Sequence, residues 1–312
     1  MHFMKAFTDL HYFLTNFQFE YGFGAIVWLV GQVTDDYRVM LFIWHTLTFF
    51  VLIKYLDLIV KEKRFIPVIM IVLFELFVQF NTLRQSISIS MGLLVLVYLY
   101  KKNNGKAVLL FLLACSMHFS SLILLPIMLI HFFKRHIPKN YIKIGLVTMV
   151  LGFTTASFIS KELLLSFMEN NKKYWVYVEF NNGSIPLATL IIITVIFSLA
   201  VINYEKLCEY NPFNEILIWA LPVFYIAVTF QSALSILYRT LLIFTPIAFA
   251  LVPPLLGIYS VSFRGIRNFK KSDILKICVS LLIWLFVVYR VVYFYGISLN
   301  DIGVPYLNNL LR

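Results

Sequence analysis

Charge is what this sequence is short of. Asp, Glu, Lys and Arg make up 13% of its 312 residues, against about 25% in a soluble domain. So few charges cannot cover a water-facing surface, which excludes a soluble globular domain. The strict apolar–polar alternation of a membrane β-barrel is also missing. Cysteine is sparse: Cys115, Cys208 and Cys278 stand far apart, without metal-ligand spacing, and are read as structural. There is no glycine loop to cradle phosphate, no HExxH and no GxSxG. An inverted repeat of the transporter kind is not visible, nor is any shorter repeat or low-complexity tract. The first 20 residues contain Asp9 and Glu20 and lack the continuous apolar core of a signal peptide.

What is present is apolar. Hydrophobic residues make up 61% of the chain, and the mean hydropathy is +0.86. The apolar runs are about 37–55, 65–81, 84–100, 107–132, 141–160, 185–204, 213–231, 236–260 and 277–296. Each is long enough, at about 20 residues, for a helix across a bilayer core of about 30 Å. The expectation is an all-α, polytopic integral membrane helical bundle, a single domain over 1–312, with about ten membrane helices. The net charge of +11 does not point to nucleic acid. The basic residues are scattered in short loops between apolar runs, the pattern of cytoplasmic loops under the positive-inside rule.

Charge also decides the one ambiguous run. Residues 107–132 are too short for two crossings and a little long for one, and their centre, Ser116-Met117-His118-Phe119-Ser120-Ser121, is polar. If they crossed once, Lys101, Lys102 and Lys106 would lie opposite Lys134, Arg135, Lys139 and Lys143. A re-entrant or broken helix pair with its turn at His118 puts both basic loops on one side, and non-spanning backbone is tolerated where it lines an enclosed cavity. The cytoplasmic side then holds most of the 26 Lys and Arg, including Lys54, Lys61, Lys63, Arg64, Lys206, Arg264, Arg267, Lys270, Lys271 and Lys276. The outer side collects a segment over 1–36, Arg84 and Gln85, His118 with Ser120 and Ser121, a periplasmic loop over 161–184, Gln231 with Arg239, and Arg290. A first transmembrane helix is expected upstream of the present start.

Several of these residues could carry chemistry. Arg84 sits in FNTLRQSIS among Asn81, Thr82, Gln85, Ser86 and Ser88. A snorkelling anchor needs no such polar company, whereas a guanidinium fork suits phosphate. Arg239 and Arg290 lie within apolar runs on the same side, and three such arginines suggest an anionic pocket. His118 is either a structural hydrogen-bonding residue or a group that titrates near neutrality. Asp9 and Glu20 are either solvated or positioned to take a proton from a hydroxyl. The aromatic residues around them, Phe23 included, are read as an interfacial belt. Glu75, deep in its run, is functional or paired. The segment 161–184, with Tyr174 and Trp175, is either an amphipathic lid or a sugar platform.

The stretch NTLRQSISISMGLLVLVYLYKKNNGKAVLLFLLACSMHFSSLILLPIMLI resembles the signature of the EpsG family. Arg84, Gln85, Ala114, His118 and Ser121 match its positions in order and spacing. TDLHYF, with Asp9 and Tyr12, resembles the family's D-x-x-Y element, and FEYGF, with Glu20 and Gly22, its F-E-x-G-F element. Tyr238 and Arg239 resemble a later arginine-bearing helix, and the stretch around Tyr306 a C-terminal P-Y element. The family normally has a helix before D-x-x-Y, which this chain does not show.

The resemblance implies a membrane glycosyltransferase of the GT-C kind, similar to Wzy-type polymerases of O-antigen, capsule and exopolysaccharide. It would join repeat units carried on undecaprenyl diphosphate at the outer face of the bacterial cytoplasmic membrane. Arg84 and Arg239, with Arg290 third, would hold the diphosphate. Asp9, Glu20 and His118, in that order, are candidate bases, with Tyr12, Gln85, Ser121 and Tyr238 supporting. No metal or other cofactor is expected, since arginines supply the charge. Expected partners are the lipid-linked donor and acceptor, the bilayer, a chain-length regulator and a flippase. The alternatives are a flippase or transporter of the same lipid, and a membrane ligase or O-acyltransferase.

Overall fold

The computed structural model describes residues 20–34, 36–59, 83–169, 187–231, 242–259, 274, 276–282 and 285. Among these there is no strand. Ten α-helices follow one another: α1 (Tyr21–Gly31), α2 (Tyr37–Ile59), α3 (Leu83–Tyr100), α4 (Asn104–Met117), α5 (Leu124–Phe133), α6 (Ile142–Glu169), α7 (Leu187–Ile202), α8 (Tyr204–Tyr210), α9 (Asn214–Gln231) and α10 (Phe244–Ile258). The all-helical bundle expected from the apolar runs is therefore what the described residues form. Among the described residues one segment, Arg38–Ile59, is both long and apolar enough to cross a membrane; the other apolar helical stretches, such as Gln85–Tyr100, Ile142–Ala156 and Asn214–Val228, are 10–17 residues long.

Burial separates the helices into inner and outer ones. On α3, every residue from Gln85 to Ser90 and from Gly92 to Val97 is buried. A helix buried all round lies inside a bundle, and α3 is flanked by α2 and α4. By contrast, α4 buries only the stripe Ala107, Phe111, Ala114 and Met117, and turns Leu109 and Leu112 outward. Phe42 and Phe50 of α2, Leu129 of α5 and Leu151 of α6 are also exposed. Apolar faces turned outward on four helices suit hydrocarbon as solvent, not water. The chain is a membrane protein.

Local signals set the element ends. The α3–α4 connection is a tight hairpin in which Lys102 takes φ 57°, the left-handed conformation. There the N–H of Lys102 donates to Leu99 O (3.1 Å) and that of Asn103 to Tyr98 O (2.9 Å), which closes α3 with a Schellman pattern. Asn103 then caps α4 by accepting from the N–H of Lys106 at 3.2 Å.

The run 107–132 is broken, as charge predicts. Helix α4 ends at Met117, residues Phe119–Ile123 form a 3₁₀ turn, and α5 begins at Leu124. Beyond the break the chain turns back along α3. Ala114 and Ser121 both touch Ser88, and Leu124 lies against Gly92, one turn further on. At the far end, Lys134 pairs with Glu215 (3.1 Å) and Tyr100 packs edge-on against Phe213 (5.4 Å). The two basic loops, 101–106 and 134–143, thus share one end of the bundle. Asn211 donates to Leu58 O there (2.9 Å), and Lys143 pairs with Glu205 (2.9 Å).

Two boundaries differ from the sequence reading. Residues 21–31, read as part of an outer segment, form α1. Helix α6 runs to Glu169, nine residues past the expected end of its run at 160. Its last turns, KELLLSFME, are mostly strong helix formers and continue a helix as readily as they start a loop.

Candidate functional site

The site is built on the break in the α4–α5 pair. Two serines follow His118-Phe119, and serine competes for helical backbone hydrogen bonds. His118 leaves the helix with extended backbone, φ −158° and ψ 125°. Its N–H still donates to Ala114 O (3.0 Å), and its carbonyl accepts from the Ser121 N–H (3.1 Å). Its ring Nδ1 accepts from the Ser120 N–H at 3.1 Å and so caps the 3₁₀ turn.

Buried hydroxyls fasten this turn to α3. Ser88 donates to Ala114 O at 3.2 Å and is also bonded to the hydroxyl of Ser121. A hydroxyl has one proton to give, and Ser88's goes to the carbonyl. Ser121 is therefore the donor in the serine pair. Both side chains are buried, where an unpaired hydroxyl would cost about 1–3 kcal/mol. Gln85, 1% exposed, lies one turn before Ser88 on α3.

Helix α1 brings in the carboxylate. Its Gly22 lies so close to Ser116 of α4 that a Cβ would sit 2.8 Å from the Ser116 carbonyl oxygen. Only glycine permits that approach. It carries Glu20, at the N-cap of α1, to the break, where Oε1 accepts from the Phe119 N–H in a long bond of 3.4 Å. Below this contact Phe23, Val27 and Val30 of α1 pack with Met40 and Trp44 of α2, Ile87 of α3 and Met117 of α4. Phe23 meets Trp44 edge-on, with ring centroids 5.0 Å apart. Among membrane helices such contacts hold by van der Waals packing and not by transfer from water. Phe23 is thus a core residue, 3% exposed, and not part of an interfacial belt. Its neighbours in the sequence suggested the belt; its helical face decides otherwise.

The structure therefore brings together Glu20, Gln85, His118 and Ser121. Arg84 is the second residue of α3, but its side chain lies outside the described residues. Asp9, Tyr12, Glu75, Tyr238, Arg239 and Arg290 lie outside them altogether, as does 170–184. The sequence reading missed Ser88 as the partner of Ser121, and Ser116 as the seat of Gly22. Their signal was slight: a serine among serines, and a glycine near an acid. Among the described residues no group of three or more His, Cys, Asp or Glu is placed to hold a metal.

The opposite end has its own polar network. Glu215 accepts from the Tyr204 hydroxyl (3.2 Å) as well as pairing with Lys134. The Lys143 ammonium beside Glu205 holds that carboxyl below its usual range. A cleft near Tyr210, Asn211, Asn214 and Pro253 has a volume of about 10 Å³. That is room for about one water.

The family model of the EpsG family matches residues 1–308. Neither a curated protein nor a solved structure matches the chain.

Proposed function

The chain belongs to the EpsG family of Wzy-like, polysaccharide-polymerase-related proteins, and from that premise we propose that it is the membrane glycosyltransferase that polymerises lipid-linked repeat units. The donor is a growing chain on undecaprenyl diphosphate, and the acceptor a hydroxyl of a second lipid-linked unit. The acceptor oxygen bonds to the anomeric carbon as the diphosphate leaves with the electron pair. The leaving group is anionic, so aligned cations and donors lower the barrier most. Arg84, Arg239 and Arg290 take that part. Asp9, Glu20 and His118 are the groups able to handle the proton of the attacking hydroxyl.

One observation carries the reading. Three family elements distant in sequence, FEYGF, LRQSIS and ACSMHFSS, meet at a single broken-helix turn through Glu20–Phe119, Ser88–Ala114 and Ser88–Ser121. Packing alone does not require a glutamate, a histidine and paired serines to converge there. Orientation follows from charge. The end holding Lys101, Lys102, Lys106, Lys134 and Lys143 is cytoplasmic by the positive-inside rule. The His118 turn is then the tip of a re-entrant pair at the periplasmic face of the cytoplasmic membrane of a multi-pass, GT-C-like bundle.

The test is gel analysis of surface polysaccharide from a deletion strain complemented with this chain. A ladder of chain lengths is expected, collapsing to single transferred repeat units when the gene is lost or Arg84→Ala is introduced. Loss of all transferred units would point to a flippase instead. An unchanged ladder with Arg84→Ala would sink the diphosphate assignment.

A further inference from the structure

Helix α1 leads away from the His118 turn toward the end of the bundle opposite the basic loops. Its Phe23, Val27 and Val30 pack along Met40 and Trp44 of α2, and Phe23 meets Trp44. Gly31 is joined to Tyr37 by the short turn 32–36, so the two helices are antiparallel neighbours. The last turn of α2 is at the basic end, where Leu58 O accepts from Asn211 (2.9 Å). Its first turn, and the top of α1, are therefore at the far end. Glu20 is at the foot of α1, below all 11 of its residues. That is about 16 Å along the axis, and about 12 Å even at a tilt of 40°. The other side gives the same depth. Helix α4 has 14 residues, about 21 Å, against about 33 Å for the 22 residues Arg38–Ile59 of α2.

The surroundings of the turn suit hydrocarbon. Helix α1 reads YGFGAIVWLVG, without one charge, and its Tyr21, Ala25 and Leu29 form an exposed stripe above the turn. At the turn itself Phe119 is 67% exposed, and Leu122 and Leu125 continue the apolar surface below it. The backbone agrees. A helix break in hydrocarbon frees N–H groups that no water can take. Here four successive N–H groups, from His118 to Ser121, all donate to protein: to Ala114 O (3.0 Å), Glu20 Oε1 (3.4 Å), His118 Nδ1 (3.1 Å) and His118 O (3.1 Å).

We infer that the His118 turn and Glu20 are sunk about 10 Å into the periplasmic half of the bilayer, and that acyl chains of the outer leaflet cover them. Two half-crossings meet there, α1 from the periplasmic side and the α4–α5 pair from the cytoplasmic side. Glu20 serves the break by taking the N–H that the 3₁₀ turn leaves over. A ligand bound for this turn arrives through the lipid of the outer leaflet and not from the water above it. The inference goes beyond the polymerase reading and does not depend on it.

Depth is measured by fluorescence quenching in dioleoylphosphatidylcholine vesicles. The full chain carries Cys115→Ala, Cys208→Ala and Cys278→Ala, and a bimane is attached at Phe119→Cys. The quenchers are phosphatidylcholines with a nitroxide on the headgroup or at carbon 12 of an acyl chain. A reference bimane at Val33→Cys, in the α1–α2 turn and 86% exposed, is expected to be quenched most by the headgroup nitroxide. At Phe119 the order is expected to reverse, with the acyl nitroxide the stronger. Leu122→Cys, on the same turn, repeats the measurement if the Phe119 variant does not insert. Stronger headgroup quenching at these sites would put the turn at the bilayer surface and overturn the inference. Quenching by aqueous iodide but by neither lipid would mean a water-filled crevice, and quenching by none a cover of protein such as a second copy; both overturn it. Failure of the polymerase reading would show as an absent ladder and would leave these depths unchanged.

Discussion

Glu20 and Phe119 are 99 residues apart in sequence, yet the carboxylate of one accepts the backbone N–H of the other at 3.4 Å. The bond is long and adds little by itself. Its importance is positional, because it closes α1 over the broken α4–α5 pair and places an acid beside His118. The contact depends on Gly22, whose missing side chain lets α1 reach Ser116.

Gly22→Ala should undock α1. The added methyl meets the backbone of Ser116 at 2.8 Å, which no rotamer change relieves. A loss of about 1–3 kcal/mol is expected, seen as a lower melting temperature in detergent and faster proteolysis between α1 and α2. Polymer should fall with it. Wild-type melting and protease resistance would show that α1 tolerates a wider seat.

The serine pair should behave as a unit. Ser121→Ala leaves the Ser88 hydroxyl still bonded to Ala114 O, while Ser88→Ala leaves the buried Ser121 hydroxyl without the acceptor it donates to; the Ala114 carbonyl keeps the His118 N–H. Ser88→Ala is expected to cost more, about 1–3 kcal/mol. The double variant should cost less than the two single losses together. Additive losses in thermal unfolding would disprove the coupling.

The two ion pairs at the basic end should differ. The side chains of Lys134 and Glu215 are 10% and 40% exposed, against 43% and 64% for Lys143 and Glu205. Lys134→Met should cost about 1–2 kcal/mol, because the lysine of this pair is largely buried although its partner is 40% exposed. Lys143→Met should cost about 0.5 kcal/mol or less and lose even that at high salt. Equal effects would contradict the burial argument. Glu205 adds a pH signature. Its folded pKa lies below the ordinary 4.5, so it stabilises above that value and the benefit is lost as pH falls through the folded pKa. The melting difference between wild type and Glu205→Gln should therefore be constant near neutrality and vanish in acid. A difference that grows on acidification would reverse the sign.

Lys102 occupies a left-handed position at φ 57° that glycine fills without strain. Lys102→Gly should raise stability by about 1 kcal/mol through the α3–α4 hairpin, with no change in polymer. A lower melting temperature would mean that the lysine side chain contributes more than its backbone costs.

The one-dimensional signals were enough for much of this. Hydropathy counts apolar residues along the chain, so it found α2, α3, α7 and α9 to within a few residues. Charge in the flanking loops forced the chain to reverse in 107–132, because Lys101–Lys106 and Lys134–Lys143 could not lie on opposite sides; the break at His118 followed. Helix α1 escaped this reading because 11 residues are too few to register as a membrane run. Tertiary structure alone decided which faces meet. Whether Phe23 is core or belt, which hydroxyl Ser121 pairs with, and why position 22 must lack a side chain all depend on how each helix is turned about its axis. That rotation is set by packing between residues far apart in sequence, and no local pattern of apolar residues or charge encodes it.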